Sequence, residues 1–214
     1  MHCFVYLICA FISVATIPVN ATESLQASLY HGQFTEKDLG NALVFSYKPL
    51  DSYLVAMDLT YKPDDKWQPL WYLSDSFCKL SISNSAALNL SYVYQGDETG
   101  IGLNPHITIN FERMLPDSWA LNLAYSAGVG VSYYGYLPDK TTHLALADSS
   151  QPYKSTRWLC YLMFEWQLSH ASLPKWALTW RIHHRSRCYG VFYPKRAGIH
   201  VGSDYFGLGV RYFF

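Results

Sequence analysis

Apolar and polar residues alternate with period two along much of this chain. At the C-terminal end Phe206, Leu208, Val210, Tyr212 and Phe214 share one parity, and Gly207, Gly209, Arg211 and Phe213 share the other. Trp176, Leu178, Trp180 and Ile182 alternate in the same way with Ala177, Thr179, Arg181 and His183. Successive side chains of an extended strand point to opposite faces, so here one face suits hydrocarbon and the other a polar interior. The same period marks Leu43-Phe45-Tyr47, Tyr53-Val55-Met57-Leu59-Tyr61, Leu80-Ile82 with Leu88-Leu90-Tyr92, Ile107-Ile109-Phe111, Trp119-Leu121-Leu123-Tyr125 and Trp158-Cys160-Leu162-Phe164-Trp166. Eight strands are therefore predicted, near 42–48, 52–62, 79–94, 102–113, 118–136, 155–169, 175–186 and 202–214. No stretch holds the ~18 consecutive apolar residues of a membrane-spanning helix. The pattern predicts an all-β fold, an eight-stranded antiparallel transmembrane β-barrel of the outer membrane of a Gram-negative bacterium. A barrel that small is filled by its own side chains and is no pore.

Placing residue 42 on the periplasmic side makes odd strands run outward and even strands inward, with both chain ends periplasmic. Met114-Leu115-Pro116-Asp117 and His170-Ala171-Ser172-Leu173-Pro174 then become short periplasmic turns, and residues 137–154 and 187–201 become longer external loops. Residues 63–78 are long for a periplasmic turn. Residues 22–40 read as a periplasmic lead-in to a barrel spanning 41–214.

Composition supports a bilayer-facing exterior. Aromatic residues make up 17% of the chain, whereas charged residues make up 15%, against about 25% in soluble domains. The formal net charge is zero, which excludes a whole-protein field directed at nucleic acid. The apolar run Phe4–Ala15, followed by Val19-Asn20-Ala21, predicts a signal peptide over 1–21 with an A-x-A-like cleavage site, although its only N-terminal cation is His2. Bulky Ile8 argues against a lipoprotein box at Cys9. With Cys3 and Cys9 removed, Cys78, Cys160 and Cys188 remain, and their odd count and irregular spacing argue against a disulfide framework or a metal site. No cofactor is implied.

Candidate chemistry lies where Arg181-Ile182-His183-His184-Arg185-Ser186 ends the seventh strand. Residues two apart share a face about 7 Å apart, so His184 and Ser186 project together, and His183 projects the other way. They continue the lipid-facing row at the outer-leaflet interface, where a His beside a Ser hydroxyl is the minimal general-base and nucleophile pair for acyl transfer. An interfacial polar cap on an apolar strand accounts for the spacing equally well. Asp204, at the outer start of the eighth strand, has the parity to orient the imidazole. Glu165 has lumen parity and belongs with Arg181 and Arg211 in a charge network, because charges enclosed in a barrel must be paired. Arg185, Arg187, Lys195 and Arg196 cluster near the outer end, where Arg185 and Arg187 are candidates to bind lipid phosphate. His106, His143, His170 and His200 show no ligand spacing, and Gly128-Val129-Gly130-Val131 lets lumen side chains pack closely.

Tyr161-Leu162-Met163-Phe164-Glu165, Leu178-Thr179-Trp180-Arg181-Ile182-His183-His184-Arg185-Ser186 with Gly190-Val191-Phe192, Gly202-Ser203-Asp204-Tyr205 and Leu208-Gly209-Val210-Arg211-Tyr212-Phe213-Phe214 together resemble the acyloxyacyl hydrolase family of outer-membrane proteins related to lipid A 3-O-deacylase. The likeness covers about the last hundred residues. It implies an eight-stranded barrel that removes an ester-linked acyl chain from lipid A of lipopolysaccharide, with Ser186 as nucleophile and His184 as base. Two departures stand out: Asp204 where the family has Glu as third member, and Arg187 where it has Asn after the Ser. The alternative is a non-catalytic barrel that binds lipopolysaccharide or serves a structural envelope role. A surface adhesin would require larger external loops. Expected partners are lipid A and outer-membrane lipids, not nucleic acid, and the sequence leaves a homodimer open.

Overall fold

The computed structural model describes residues 24–35, 49–63, 81–95, 97–116, 118–135, 157–186 and 202–214. Their eight strands are β1 (Ser24–Thr35), β2 (Pro49–Lys62), β3 (Ser81–Gln95), β4 (Glu98–Glu112), β5 (Leu121–Tyr134), β6 (Trp158–His170), β7 (Trp176–Ser186) and β8 (Gly202–Phe213). Each pairs antiparallel with its sequence neighbours, and β1 closes on β8 to complete the barrel. The shortest, β7, has 11 residues, enough for a tilted strand to cross a bilayer core.

Seven of the strands lie where the alternation puts them. The first does not: the chain enters the barrel at Ser24, inside the segment expected to be a lead-in, and 42–48 lies outside the described residues. The reason is weak contrast. The outward row of β1, Leu25-Ala27-Leu29-His31, carries two large apolar residues, and its inward row includes bulky Tyr30 and Phe34. With eight antiparallel strands retained, the odd strands all run in one direction, and Ser24 and Phe213 lie at the same end of the barrel, the end expected to be periplasmic. The described periplasmic turns are short, held by Met114 N–H donating to the Leu123 carbonyl at 3.0 Å and Trp176 N–H to the Leu173 carbonyl at 2.9 Å. The predicted signal peptide, the 63–78 stretch apart from Pro63, and both predicted external loops lie outside the described residues.

The exterior is apolar and open, as a lipid-facing wall requires: Leu208 is 71% exposed and Ile107 64%. Aromatic pairs border it at both ends, with Tyr133 and Trp158 rings 4.7 Å apart near the outer rim and Trp176 and Tyr212 4.9 Å apart near the periplasmic rim. The lumen is filled in layers. Toward the periplasm, Arg181 is 2.5 Å from Asp58 and 2.6 Å from Glu165, whose other oxygen lies 2.8 Å from Arg211. Above that, His183 sits between the Tyr30 hydroxyl at 3.0 Å and the Tyr134 hydroxyl at 3.5 Å. Phe34, Leu54, Val93, Tyr134 and Tyr205 close the outer part as a buried cluster. Gly102 makes room for this plug, since a Cβ there would meet the Tyr134 ring at 2.2 Å. Gly130 does the same for a close backbone approach, its Cβ position lying 2.1 Å from the Pro105 carbonyl.

Candidate functional site

The outward face of β7 runs Trp176, Leu178, Trp180, Ile182, His184, Ser186, so the site is a polar continuation of a lipid-facing row. Antiparallel register sets His184 directly opposite Asp204 on β8, and Asp204 directly opposite Thr35 on β1. Residues facing each other across antiparallel strands hold their Cβ atoms about 5 Å apart, within reach of a direct side-chain bond. The contact forms: Nδ1 of His184 is hydrogen-bonded to Oδ1 of Asp204. The two side chains are 13% and 8% exposed, so the couple is largely shielded from solvent. A carboxylate on Nδ1 fixes the ring orientation and leaves Nε2 as the atom able to take a proton.

Ser186, half-buried, is the last residue of β7 and faces the same side as His184. Among the described contacts His184 bonds Asp204 and not Ser186. Toward the membrane midplane from this couple, Ile182 and Phe206 form a buried apolar cluster with Phe164 and Trp180 packed against it. Reactive polar groups thus meet an apolar floor within one strand step.

The protein contains a second His-x-Ser, which shows what distinguishes the first. His170 Nδ1 lies 2.7 Å from the Ser172 hydroxyl in an exposed periplasmic turn, and the same nitrogen accepts the Ser172 backbone N–H at 3.1 Å. No carboxylate orients that ring among the described contacts. It is a local turn motif.

Arg185 does not lie where lipid phosphate would be. Period-two geometry gives it the parity of Arg181 and His183, so it points into the lumen, 1% exposed. Its guanidinium lies 3.9 Å from the Tyr134 ring centroid, and its Nε donates to Ser132 Oγ at 2.6 Å. The outward row passes from His184 to Ser186 and skips it. Arg187, Lys195, Arg196, His143 and His200 lie outside the described residues.

Glu165 is inside with Arg181 and Arg211, and the network has one member that the sequence reading did not single out, Asp58. Its parity with Ala56 and Thr60, against outward Met57 and Leu59, was the available signal. His106 also fills the lumen, stacked edge-on against Tyr161 over the space left by Gly128 and Gly130. Cys160 is disulfide-bonded, contrary to the expectation drawn from the odd cysteine count. An odd total leaves one thiol over but does not prevent the others from pairing.

No family model matches the chain, and no curated protein matches it in sequence. Among solved structures, the outer membrane enzyme PagL is similar in fold, with a TM-score of 0.56 and 12% identity over 87% of this chain and 98% of that one. Neisserial surface protein A gives 0.47 at 10% identity, over 91% and 98% of the two chains. The N-terminal β-barrel domain of Pseudomonas aeruginosa OprF gives 0.45 at 12% identity, over 89% and 97%. The likeness is one of fold: the chain is an eight-stranded β-barrel of the Gram-negative outer membrane.

Proposed function

We propose that this barrel is a lipid esterase that removes an ester-linked acyl chain from lipid A of lipopolysaccharide in the outer leaflet. The observation that carries this reading is the His184–Asp204 couple, formed across β7 and β8 on the lipid-facing side, with Ser186 two residues along the same row. Ionisable side chains on the membrane-facing side of a barrel wall are costly and are functional-site candidates by default.

Ser186 Oγ attacks the acyl carbonyl while His184 Nε2 takes its proton. Asp204 stabilises the imidazolium on the opposite nitrogen. The tetrahedral intermediate then expels the sugar oxygen, which leaves as a hydroxyl after receiving that proton. Water, activated by the same imidazole, releases the fatty acid and regenerates Ser186. The apolar cluster of Phe164, Ile182, Trp180 and Phe206 lies where the acyl chain of an ester held at Ser186 would descend into the leaflet. No step requires a metal or cofactor.

The test is mass spectrometry of lipid A from cells expressing the protein or Ser186→Ala, with folding of both checked by heat-modifiable gel mobility. Loss of one acyl chain with the unmodified protein alone supports the esterase and gives its position of attack. One observation favours a second reading, a non-catalytic barrel that binds lipopolysaccharide: His184 has no hydrogen bond to Ser186 among the described contacts. Identical lipid A from two folded proteins, together with no fluorophosphonate labelling of purified protein in detergent, would move the assignment there.

A further inference from the structure

His184 is bracketed in sequence by two residues sealed in the lumen, His183 and Arg185. One path of hydrogen bonds joins them around the inside of the barrel. Arg185 Nε donates to Ser132 Oγ at 2.6 Å, and Ser132 Oγ donates to Asn104 Oδ1 at 2.5 Å. Asn104 Nδ2 donates to Asn89 Oδ1 at 2.8 Å, and Asn89 Nδ2 to the Tyr30 hydroxyl at 2.9 Å. That hydroxyl lies 3.0 Å from His183 Nδ1. The path leaves β7, visits β5, β4, β3 and β1, and returns to β7 two residues from where it began.

A guanidinium can only donate, so every link runs in one direction and His183 Nδ1 is the final acceptor. Each intermediate side chain accepts from one neighbour and donates to the next. Bonds aligned head to tail polarise one another, and a buried, connected network rigidifies the groups it joins. Ser132, Asn104 and Asn89 are all fully buried. Residues 183–186 are the last of β7, and their pairing with β6 and β8 sets their spacing within the plane of the wall. The tilt of their side chains through the wall depends instead on what the inward residues meet, because consecutive side chains point to opposite faces of one backbone.

We propose that this lumen belt positions the His184–Ser186 row for reaction, which makes Asn104, three strands away on β4, a positioning residue together with Ser132 and Asn89. None of them touches substrate or the reacting atoms. They act by holding residues 183 and 185 on both sides of His184, so that the outward row cannot rock at the strand end. About 1 Å of misplacement costs on the order of 100-fold in rate, so a few tenths of an ångström is already measurable. The inference rests on the esterase reading.

The test compares two asparagines of β4 in folded protein in detergent. Asn104→Ala interrupts the belt at its middle. Asn110→Ala breaks a second buried cluster, with Ser83, Ser85 and Ser126, which reaches β6 at Gln167 and, among the described contacts, not β7. Fluorophosphonate labelling of Ser186 should slow roughly tenfold in Asn104→Ala, with kcat for a soluble ester falling alike and KM little changed. The pH midpoint of labelling should stay put, since Asp204 still holds His184. Asn110→Ala should label at the wild-type rate even where its heat-modifiable transition falls as far. Ser132→Ala should repeat the effect and Ser132→Thr, which keeps the hydroxyl, should recover part of the rate; this pair carries the test if Asn104→Ala does not fold. Wild-type labelling in both folded belt variants, or an equal slowing in Asn110→Ala, overturns the positioning role while the esterase reading stands. A folded wild type that neither labels nor hydrolyses ester sinks the esterase reading, and this role with it.

Discussion

Arg185 and Ser186 are consecutive in the chain and lie on opposite sides of the barrel wall. Arg185 is sealed in the lumen against Tyr134 and Ser132, while Ser186 faces outward opposite Cys160. The wall between them is one backbone thick. Packing on the inside therefore fixes the line along which the outer row projects.

Arg185→Met is expected to weaken the barrel and leave lipid affinity alone. It removes a cation from the Tyr134 face and the hydrogen bond to Ser132, together about 1–3 kcal/mol. A lowered temperature of the heat-modifiable transition with an unchanged KM is the expected pair of results. A raised KM at unchanged stability would return Arg185 to substrate binding.

Asp204→Asn keeps the shape of the couple but offers His184 no negative charge. The expected loss in kcat is on the order of 10³–10⁴-fold, the scale seen when a triad carboxylate becomes an amide. Asp204→Glu should recover part of the rate. Hydrolysis of a soluble ester in detergent measures both, and an Asn variant within tenfold of the wild type would remove Asp204 from the mechanism.

Inside the barrel, Arg181→Met would leave Asp58 and Glu165 short of a cation, since Arg181 bridges them at 2.5 and 2.6 Å. Removing one partner from a buried ion pair costs about 3–5 kcal/mol. The urea midpoint for unfolding in detergent should fall accordingly. Combining Arg181→Met with Asp58→Asn should recover a large part of the loss, because the carboxylate left without its cation goes too, while Glu165 keeps Arg211 at 2.8 Å.

Gly102→Ala is expected to disturb the plug and, through it, Arg185. The added Cβ would lie 2.2 Å from the Tyr134 ring and 2.7 Å from Ser91 Oγ, so the ring must move and release its contact with the guanidinium. Overpacking of this kind costs about 1–3 kcal/mol. A thermal midpoint equal to the wild type would mean that the ring has somewhere else to go.

Strand number and the outward placement of His184, Ser186 and Asp204 were legible because a barrel keeps period two along almost all of each strand, the irregularity between Gln33 and Thr35 in β1 aside. The apolar row from Trp176 to Ile182 carries the parity onward to Ser186. Two things were hidden. Strand β1 sets Leu25, Ala27, Leu29 and His31 outward against bulky Tyr30 and Phe34 inward, so hydropathy contrast marks it poorly; its identity comes from pairing with β2 and β8. The second is the side of Arg185: its charge and its height in the membrane suggest the surface, but parity puts it in the lumen. The register that sets Asp204 against His184 depends on where the β7–β8 connection releases the chain, which sequence spacing does not reveal.

The filled lumen has a further consequence. With Arg181, His183 and Tyr134 stacked across it, nothing passes from one face of the membrane to the other through this molecule. Whatever meets the His184–Asp204 couple arrives sideways, by diffusion within one leaflet, and whatever is released departs the same way. On the proposed esterase reading, turnover should follow the mole fraction of the target among neighbouring lipids, so diluting the membrane with inert lipid should slow it while diluting the suspension with buffer should not.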